Sequence, residues 1–268
     1  MGKNKLKKFN EMKGFHCVVE APFNVYAGFT PNAGAEAKSE AEINAASGSV
    51  KPELPDPKSI FARPALPLIL ELGCGKGEYT VGLAKHDPSR NYMGVDIKGA
   101  RIYTGARQVE EEGIPNAGFL RTHVEALQFF FGKDEVDALW ITFPDPQLKK
   151  TNKRLTSTRF LGYYRKFVKP GGLVCLKTDS PFLYEYTLRL ARVNGLEILE
   201  ATPDLYAREG ECLEKSIKTF YEQQWLSRGK SIKLLKFRIG SSPLQEPDVS
   251  DLEPDDYRAA ARFNRQSP

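Results

Sequence analysis

Between about residue 60 and residue 240, short apolar runs alternate with stretches in which apolar positions recur at helical spacing. The runs Leu68–Leu72, Asn91–Asp96, Ala117–Arg121, Val136–Thr142, Leu173–Lys177, Leu196–Ala201 and Ile232–Ile239 predict seven strands. Helical spacing predicts helices over Glu78–His86, Ala100–Glu112, Thr158–Val168, Phe182–Val193 and Glu214–Trp225. Gly113 and the Pro170-Gly171-Gly172 sequence supply two of the helix stops. Strands that alternate with helices imply an α/β fold, a mostly parallel seven-stranded sheet with helices on both faces.

The pattern fades on either side. Residues 1–59 read as a basic N-terminal arm followed by a low-complexity linker, 60–240 as the folded domain, and 241–268 as an acidic, disordered tail. Lys3, Lys5, Lys7 and Lys8 are interleaved with Leu6, Phe9 and Phe15, which suits either a frayed basic terminus or an arm that meets phosphates. Residues 27–58 are dominated by Ala, Gly, Ser, Glu and Pro and bring too little apolar surface to offset the entropy of ordering. The tail carries six acids between Glu246 and Asp256.

Composition narrows the classes. Of 268 residues 41% are hydrophobic, enough for a core, and the formal net charge is +5. No apolar run approaches the ~20 residues of a membrane-spanning helix. No apolar stretch follows the basic N-terminus, so a signal peptide is not expected. Cys17, Cys74, Cys175 and Cys212 lie far apart without a Cys-x-x-Cys pair. They read as reduced thiols of a cytoplasmic protein, and neither a disulfide frame nor a metal site is expected. Monomer and homodimer both remain open.

The candidate chemistry begins where the first predicted strand ends. Glu71 closes that strand, and Gly73, Gly75 and Gly77 follow at alternate positions before a helix. This spacing differs from the Gly-x-Gly-x-x-Gly of dinucleotide folds, and an acid beside a pyrophosphate would repel it. Both points speak against a nicotinamide-dependent dehydrogenase. Asp96 ends the second strand, where an acid accepts ribose hydroxyls. Together these residues resemble the class I S-adenosylmethionine-dependent methyltransferases, whose donor carries a cationic amino group and a sulfonium.

The fourth predicted strand runs into Phe143-Pro144-Asp145-Pro146, a carboxylate whose direction both prolines restrict. From Lys149 to Lys169 the chain has basic residues and no acid, beginning with Lys149, Lys150, Lys153 and Arg154, which implies a polyanionic substrate. Tyr163, Tyr164 and Phe167 are spaced as a packed helix face. Asp179 ends the fifth strand, and Thr219 and Glu222 have acceptors suited to the donor edge of a guanine.

With these motifs the chain resembles the bacterial tRNA (guanine-N7-)-methyltransferase family over roughly residues 60–240. The resemblance implies methyl transfer from S-adenosylmethionine to N7 of a guanosine in the tRNA variable loop, at position 46. It implies Glu71, Gly73, Gly75, Gly77, Asp96 and Asp145 at the cofactor, Asp145 at the reacting centre, and Thr122-His123 at the adenine. Lys149, Lys150, Lys153, Arg154, Asp179, Thr219 and Glu222 would meet RNA; no membrane or metal partner is implied. The chain departs from the family pattern at Gln147, where many members have Trp, at the basic run, which is poorer in Arg and lacks the usual His, and at Thr122-His123, where an acid or amide is common. A methyltransferase acting on another RNA and a non-catalytic RNA-binding protein on the same fold are the alternative readings.

Overall fold

The computed structural model describes residues 3–20 and 54–255; the 27–58 segment as far as residue 53 and the tail beyond 255 lie outside the described residues. The strands are β1 (Val18–Glu20), β2 (Leu68–Leu72), β3 (Asn91–Val95), β4 (Ala117–Arg121), β5 (Val136–Thr142), β6 (Val168–Thr178), β7 (Ile198–Thr202) and β8 (Lys233–Arg238). The helices are α1 (Lys3–Met12), α2 (Glu78–His86), α3 (Gly99–Glu112), α4 (Thr158–Tyr164), α5 (Pro181–Val193), α6 (Leu213–Ser216) and α7 (Phe220–Ser227). One sheet of eight strands has the order β1-β4-β3-β2-β5-β6-β8-β7, one strand more than the sequence pattern predicts. The chain divides into two compact units, Met1–Trp140 with Lys166–Lys169, and Ile141–Arg165 with Pro170–Pro268.

In the first unit β1, β4, β3 and β2 are mutually parallel in that order. Every residue of β2 and of β3 is buried, as expected of parallel strands covered on both faces. The additional strand is β1, three residues long, whose Val18 lies opposite Phe119 of β4. It falls in the stretch that reads as an arm, and α1 is likewise packed, against α3. Phe15 stacks on Tyr103 with ring centroids 5.8 Å apart, and Phe9 lies under the Arg121 guanidinium at 4.7 Å. A Cβ at Gly99 would come within 2.6 Å of the Phe9 ring, so the first turn of α3 accepts α1 only because residue 99 has no side chain.

In the second unit β8 is antiparallel to both β6 and β7, with Lys177 opposite Leu234 and Thr178 opposite Lys233. Here β6 begins earlier than the apolar run suggests, because the chain stays extended through Pro170-Gly171-Gly172, and α4 stops correspondingly at Tyr164. Arg238 Nη1 donates to Gly171 O at 2.9 Å, and Ile239 N to Gly172 O at 2.9 Å, so this stretch keeps its backbone partners. The helix expected over Glu214–Trp225 is broken into α6 and α7. The cause is Lys177, whose Nζ donates to Glu214 O (2.5 Å) and Ile217 O (3.1 Å), carbonyls that a continuous helix would use itself.

Residues 241–255 have no helix or strand, yet they are tied along α5 in place of the disorder their composition suggests. Gln245 and Asn194 exchange hydrogen bonds of 2.7 and 2.8 Å. Arg189 grips Asp251 with two bonds of 2.6 and 2.9 Å. At the start of α5, Phe182 N donates to Asp255 Oδ1 at 3.0 Å.

Candidate functional site

The glycine turn belongs to the first unit. Gly73 N and Cys74 N both donate to Val95 O, at 2.8 and 3.0 Å, which ties the turn to the end of β3. Gly73, Gly75 and Gly77 have φ of 74°, 58° and 75°, the left-handed region that glycine enters without strain. Their reasons for being glycine differ. A Cβ at Gly77 would lie 2.5 Å from the Phe119 ring, so this residue serves packing. A Cβ at Gly73 would meet nothing within 4 Å, and one at Gly75 only Gly73 O at 4.0 Å, so these two leave an open backbone face on which a ligand can lie.

Two acids surround that face. Glu71 is buried, and its Oε2 accepts from Thr80 N at 2.9 Å and from the Thr80 hydroxyl, which holds the first turn of α2. Asp96 Oδ2 accepts from Gly75 N at 3.0 Å and Oδ1 from Lys98 N at 2.8 Å. Each Asp96 oxygen keeps a lone pair for a further donor. The Cys74 thiol is pushed well above its ordinary range, by burial first and then by the carboxylates of Glu71 and Asp96. At the end of β4, Thr122 is buried and His123 precedes a 3-10 turn over Val124–Phe129, its backbone carbonyl accepting from Ala126 N at 3.0 Å.

The proline turn belongs to the second unit. It leaves β5 through Phe143 at φ 48° and ends at Gln147 at φ 49°, both non-glycine residues in the left-handed region. Such residues cost roughly 1–3 kcal/mol each and persist only where their surroundings hold them. Phe143 N donates to Lys177 O at 2.8 Å, and Gln147 N to Asp145 Oδ1 at 2.9 Å. Asp145 itself is exposed at the tip.

Arg154 is the main restraint, and this corrects its reading as a phosphate contact. It is 2% exposed; its Nε donates to Pro146 O at 3.2 Å, Nη2 to Leu148 O at 2.8 Å and Nη1 to Thr151 Oγ1 at 3.2 Å. Its guanidinium lies over the rings of Tyr186 (4.5 Å) and Phe182 (4.8 Å). A buried cation is tolerated because carbonyl dipoles and π faces replace its water. Lys149 and Lys150 are exposed and Lys153 is half-buried, while Tyr163, Tyr164 and Phe167 are buried as their spacing suggests.

Thr219 and Glu222 also turn inward. They form the capping box of α7, with the Thr219 hydroxyl accepting from Glu222 N at 3.2 Å. Glu222 is fully buried against Lys177, at 2.8 Å, and takes the Tyr206 hydroxyl at 2.8 Å. Burial holds the Lys177 ammonium below the usual lysine range, against the pull of Glu222. The groups that reach solvent in this segment are Phe220 and Tyr221, an edge-to-face pair 44% and 40% exposed. Asp179 is buried, and its backbone carbonyl accepts from Lys233 Nζ at 3.2 Å. Lys177 and Arg154 are thus working residues that sequence reading missed in those roles. The available signal was a lysine inside the apolar run Val174–Thr178, where only a buried partner makes sense.

Among the described residues no group of His, Cys, Asp and Glu is placed to hold a metal ion, and no helix is long and apolar enough to cross a membrane.

A family model described as "Putative methyltransferase" matches residues 65–235. The chain is 52% identical over 204 residues to a tRNA (guanine-N(7)-)-methyltransferase of Porphyromonas gingivalis, covering 74% of this chain and 82% of that one. It is 44% identical over 266 residues to the Bacteroides thetaiotaomicron protein of the same description, covering 99% and 97%. Among solved structures, the 16S rRNA methyltransferase KamB matches with a TM-score of 0.51 at 17% identity, over 76% of this chain and 94% of that one; this similarity concerns the fold.

Proposed function

The chain belongs to the tRNA (guanine-N(7)-)-methyltransferase family, and from that premise we propose that it transfers a methyl group from S-adenosylmethionine to N7 of a tRNA guanosine, the one at position 46 of the variable loop. When bound, S-adenosylmethionine supplies an electrophilic methyl group on a sulfonium. The glycine turn fits such a ligand. Gly73 and Gly75 leave their backbone face open, and Glu71 and Asp96 give it a negative field that favours a cation. Asp96 accepts the ribose hydroxyls with its remaining lone pairs, and Thr122 with His123 borders the adenine.

Guanine N7 has an in-plane lone pair and carries no proton, so no general base is needed. The protein must align the nucleophile and offset the positive charge that the ring acquires. We assign both tasks to Asp145. The observation that carries this is its exposed carboxylate on a turn held between two strained residues, Phe143 and Gln147. A turn costing that much is expected where a group must be aimed. Lys149, Lys150 and Lys153 hold phosphates. Phe220 and Tyr221 offer faces on which an unstacked base can lie, while Thr219 and Glu222 fix the helix that presents them.

The test is transfer of a labelled methyl group to unmodified tRNA, with the product base mapped by strand scission at 7-methylguanosine. Transfer to a guanosine outside the variable loop would refute the site of action, and Asp145→Asn with turnover within a few-fold of the parent would refute the role of Asp145. Replacing Lys149 and Lys150 by Gln should weaken tRNA binding and reduce the salt slope by about one for each phosphate no longer neutralised.

A further inference from the structure

Glu246 lies in the strap that follows the last strand. Its Oε1 accepts from Thr158 N at 3.0 Å and from Thr158 Oγ1 at 2.6 Å, at the start of α4. Its Oε2 accepts from the Tyr186 hydroxyl at 2.6 Å. The Tyr186 ring carries the Arg154 guanidinium at 4.5 Å, and Arg154 holds Pro146 O and Leu148 O on the Asp145 turn. Contacts therefore run unbroken from the strap to the turn.

We propose that Glu246 is a positioning residue for the reaction: through Tyr186 and Arg154 the C-terminal strap sets the geometry of the Asp145 turn. This deepens the assignment of Asp145 made above and rests on it. Two physical effects transmit the contact. A carboxylate that accepts a hydrogen bond from the phenol fixes the plane of the ring, and with it the plane on which the guanidinium lies. It also shifts electron density into the ring, which strengthens the attraction of a cation over its face. Burial, and then Glu246 itself, push the Tyr186 phenol far above its ordinary range, so the hydroxyl stays a donor at every working pH. By bonding Thr158, Glu246 also anchors the chain four positions beyond Arg154.

The strap contains its own control. The Arg189–Asp251 pair ties the same segment to α5 through two hydrogen bonds, neither of which involves Tyr186 or Arg154. A merely structural strap would make the two anchors equivalent.

The experiment measures kcat, KM for tRNA, S-adenosylmethionine affinity and Tm in full-length Glu246→Gln, Tyr186→Phe, their double variant, Asp251→Asn and Asp145→Asn. The expected result is a fall in kcat of about tenfold, equivalent to ~1.4 kcal/mol, in Glu246→Gln and in Tyr186→Phe. The double variant should be no slower than the worse single one, as for members of one relay. Donor affinity should be unchanged, and Asp251→Asn should keep its kcat within twofold. Equal kcat losses in Glu246→Gln and Asp251→Asn would overturn the inference, as would independent, multiplying losses in the double variant. If Glu246→Gln does not fold, Tyr186→Phe decides, because it removes a single oxygen. Loss of turnover in Asp145→Asn with unchanged kcat in Tyr186→Phe would leave the role of Asp145 standing and end the relay. Full turnover in Asp145→Asn would end both.

Discussion

The glycine turn after β2 and the proline turn after β5 both present polar groups at the carboxyl end of a strand, and they do so by opposite means. The first uses three glycines whose left-handed backbone costs almost nothing, and the ring of Phe119 packs under Gly77. The second forces Phe143 and Gln147 into the same region and holds them with a buried arginine, two aromatic rings and a strap from the C-terminus. A surface that is to be covered by a ligand can be left as bare backbone. A single carboxylate that must keep one direction in water needs a strained turn and a clamp.

That contrast can be broken most forcefully at Arg154. Arg154→Ala removes three hydrogen bonds and leaves two loop carbonyls without their donor. It should cost about 3–5 kcal/mol in urea unfolding and nearly all turnover, with donor affinity unchanged. A variant that keeps its turnover would show that the turn holds itself.

Gly77→Ala comes next. It pushes a methyl group into Phe119 at a positive φ and should lose about 2–4 kcal/mol of stability. Gly73→Ala, with open space around it, should lose about 1 kcal/mol of stability but weaken S-adenosylmethionine binding disproportionately. Equal losses of stability at both positions would remove the distinction between a packing glycine and a ligand-facing one.

The smallest effect has the opposite sign. Gln147→Gly relieves one strained residue and should leave Tm unchanged or raise it slightly, a gain of about 1 kcal/mol at most once the extra freedom of the unfolded chain is counted. It should slow turnover while doing so. A fall in Tm would mean that the strain at Gln147 is not stored in its backbone.

The strand ends and glycine spacing were legible in the sequence because they rest on local chemistry. An apolar run, a turn residue and a terminal acid sit within a few positions of one another, as at Leu68–Gly77 and Asn91–Asp96. Three things were not legible, for a common reason. Which cation of Lys149–Arg154 turns inward depends on Phe182 and Tyr186, some thirty positions away. Thr219 and Glu222 read as guanine acceptors because their oxygens look available, but the cap of α7 uses the first, and Lys177 and Tyr206 take up the second. The strap looked disordered because its partners, Thr158, Tyr186 and Arg189, lie on helices distant in sequence. Charge shows that a group is polar; only the tertiary partner shows whether it faces water.

The pairing of β1 with β4 also imposes a timetable on synthesis. Glu20 and Arg121, which bond across the two strands, are 101 positions apart. At ~5–20 residues per second the ribosome needs about 5–20 s to make that stretch, so the first helix and strand wait that long for α3 and β4. During the wait α1 exposes Phe9 and Met12, the side chains that later meet Gly99, and β1 offers an unpaired edge. The segment carrying α1 and β1 is thus made well before the partners that seat it, and β1 is paired only once Arg121 has cleared the tunnel.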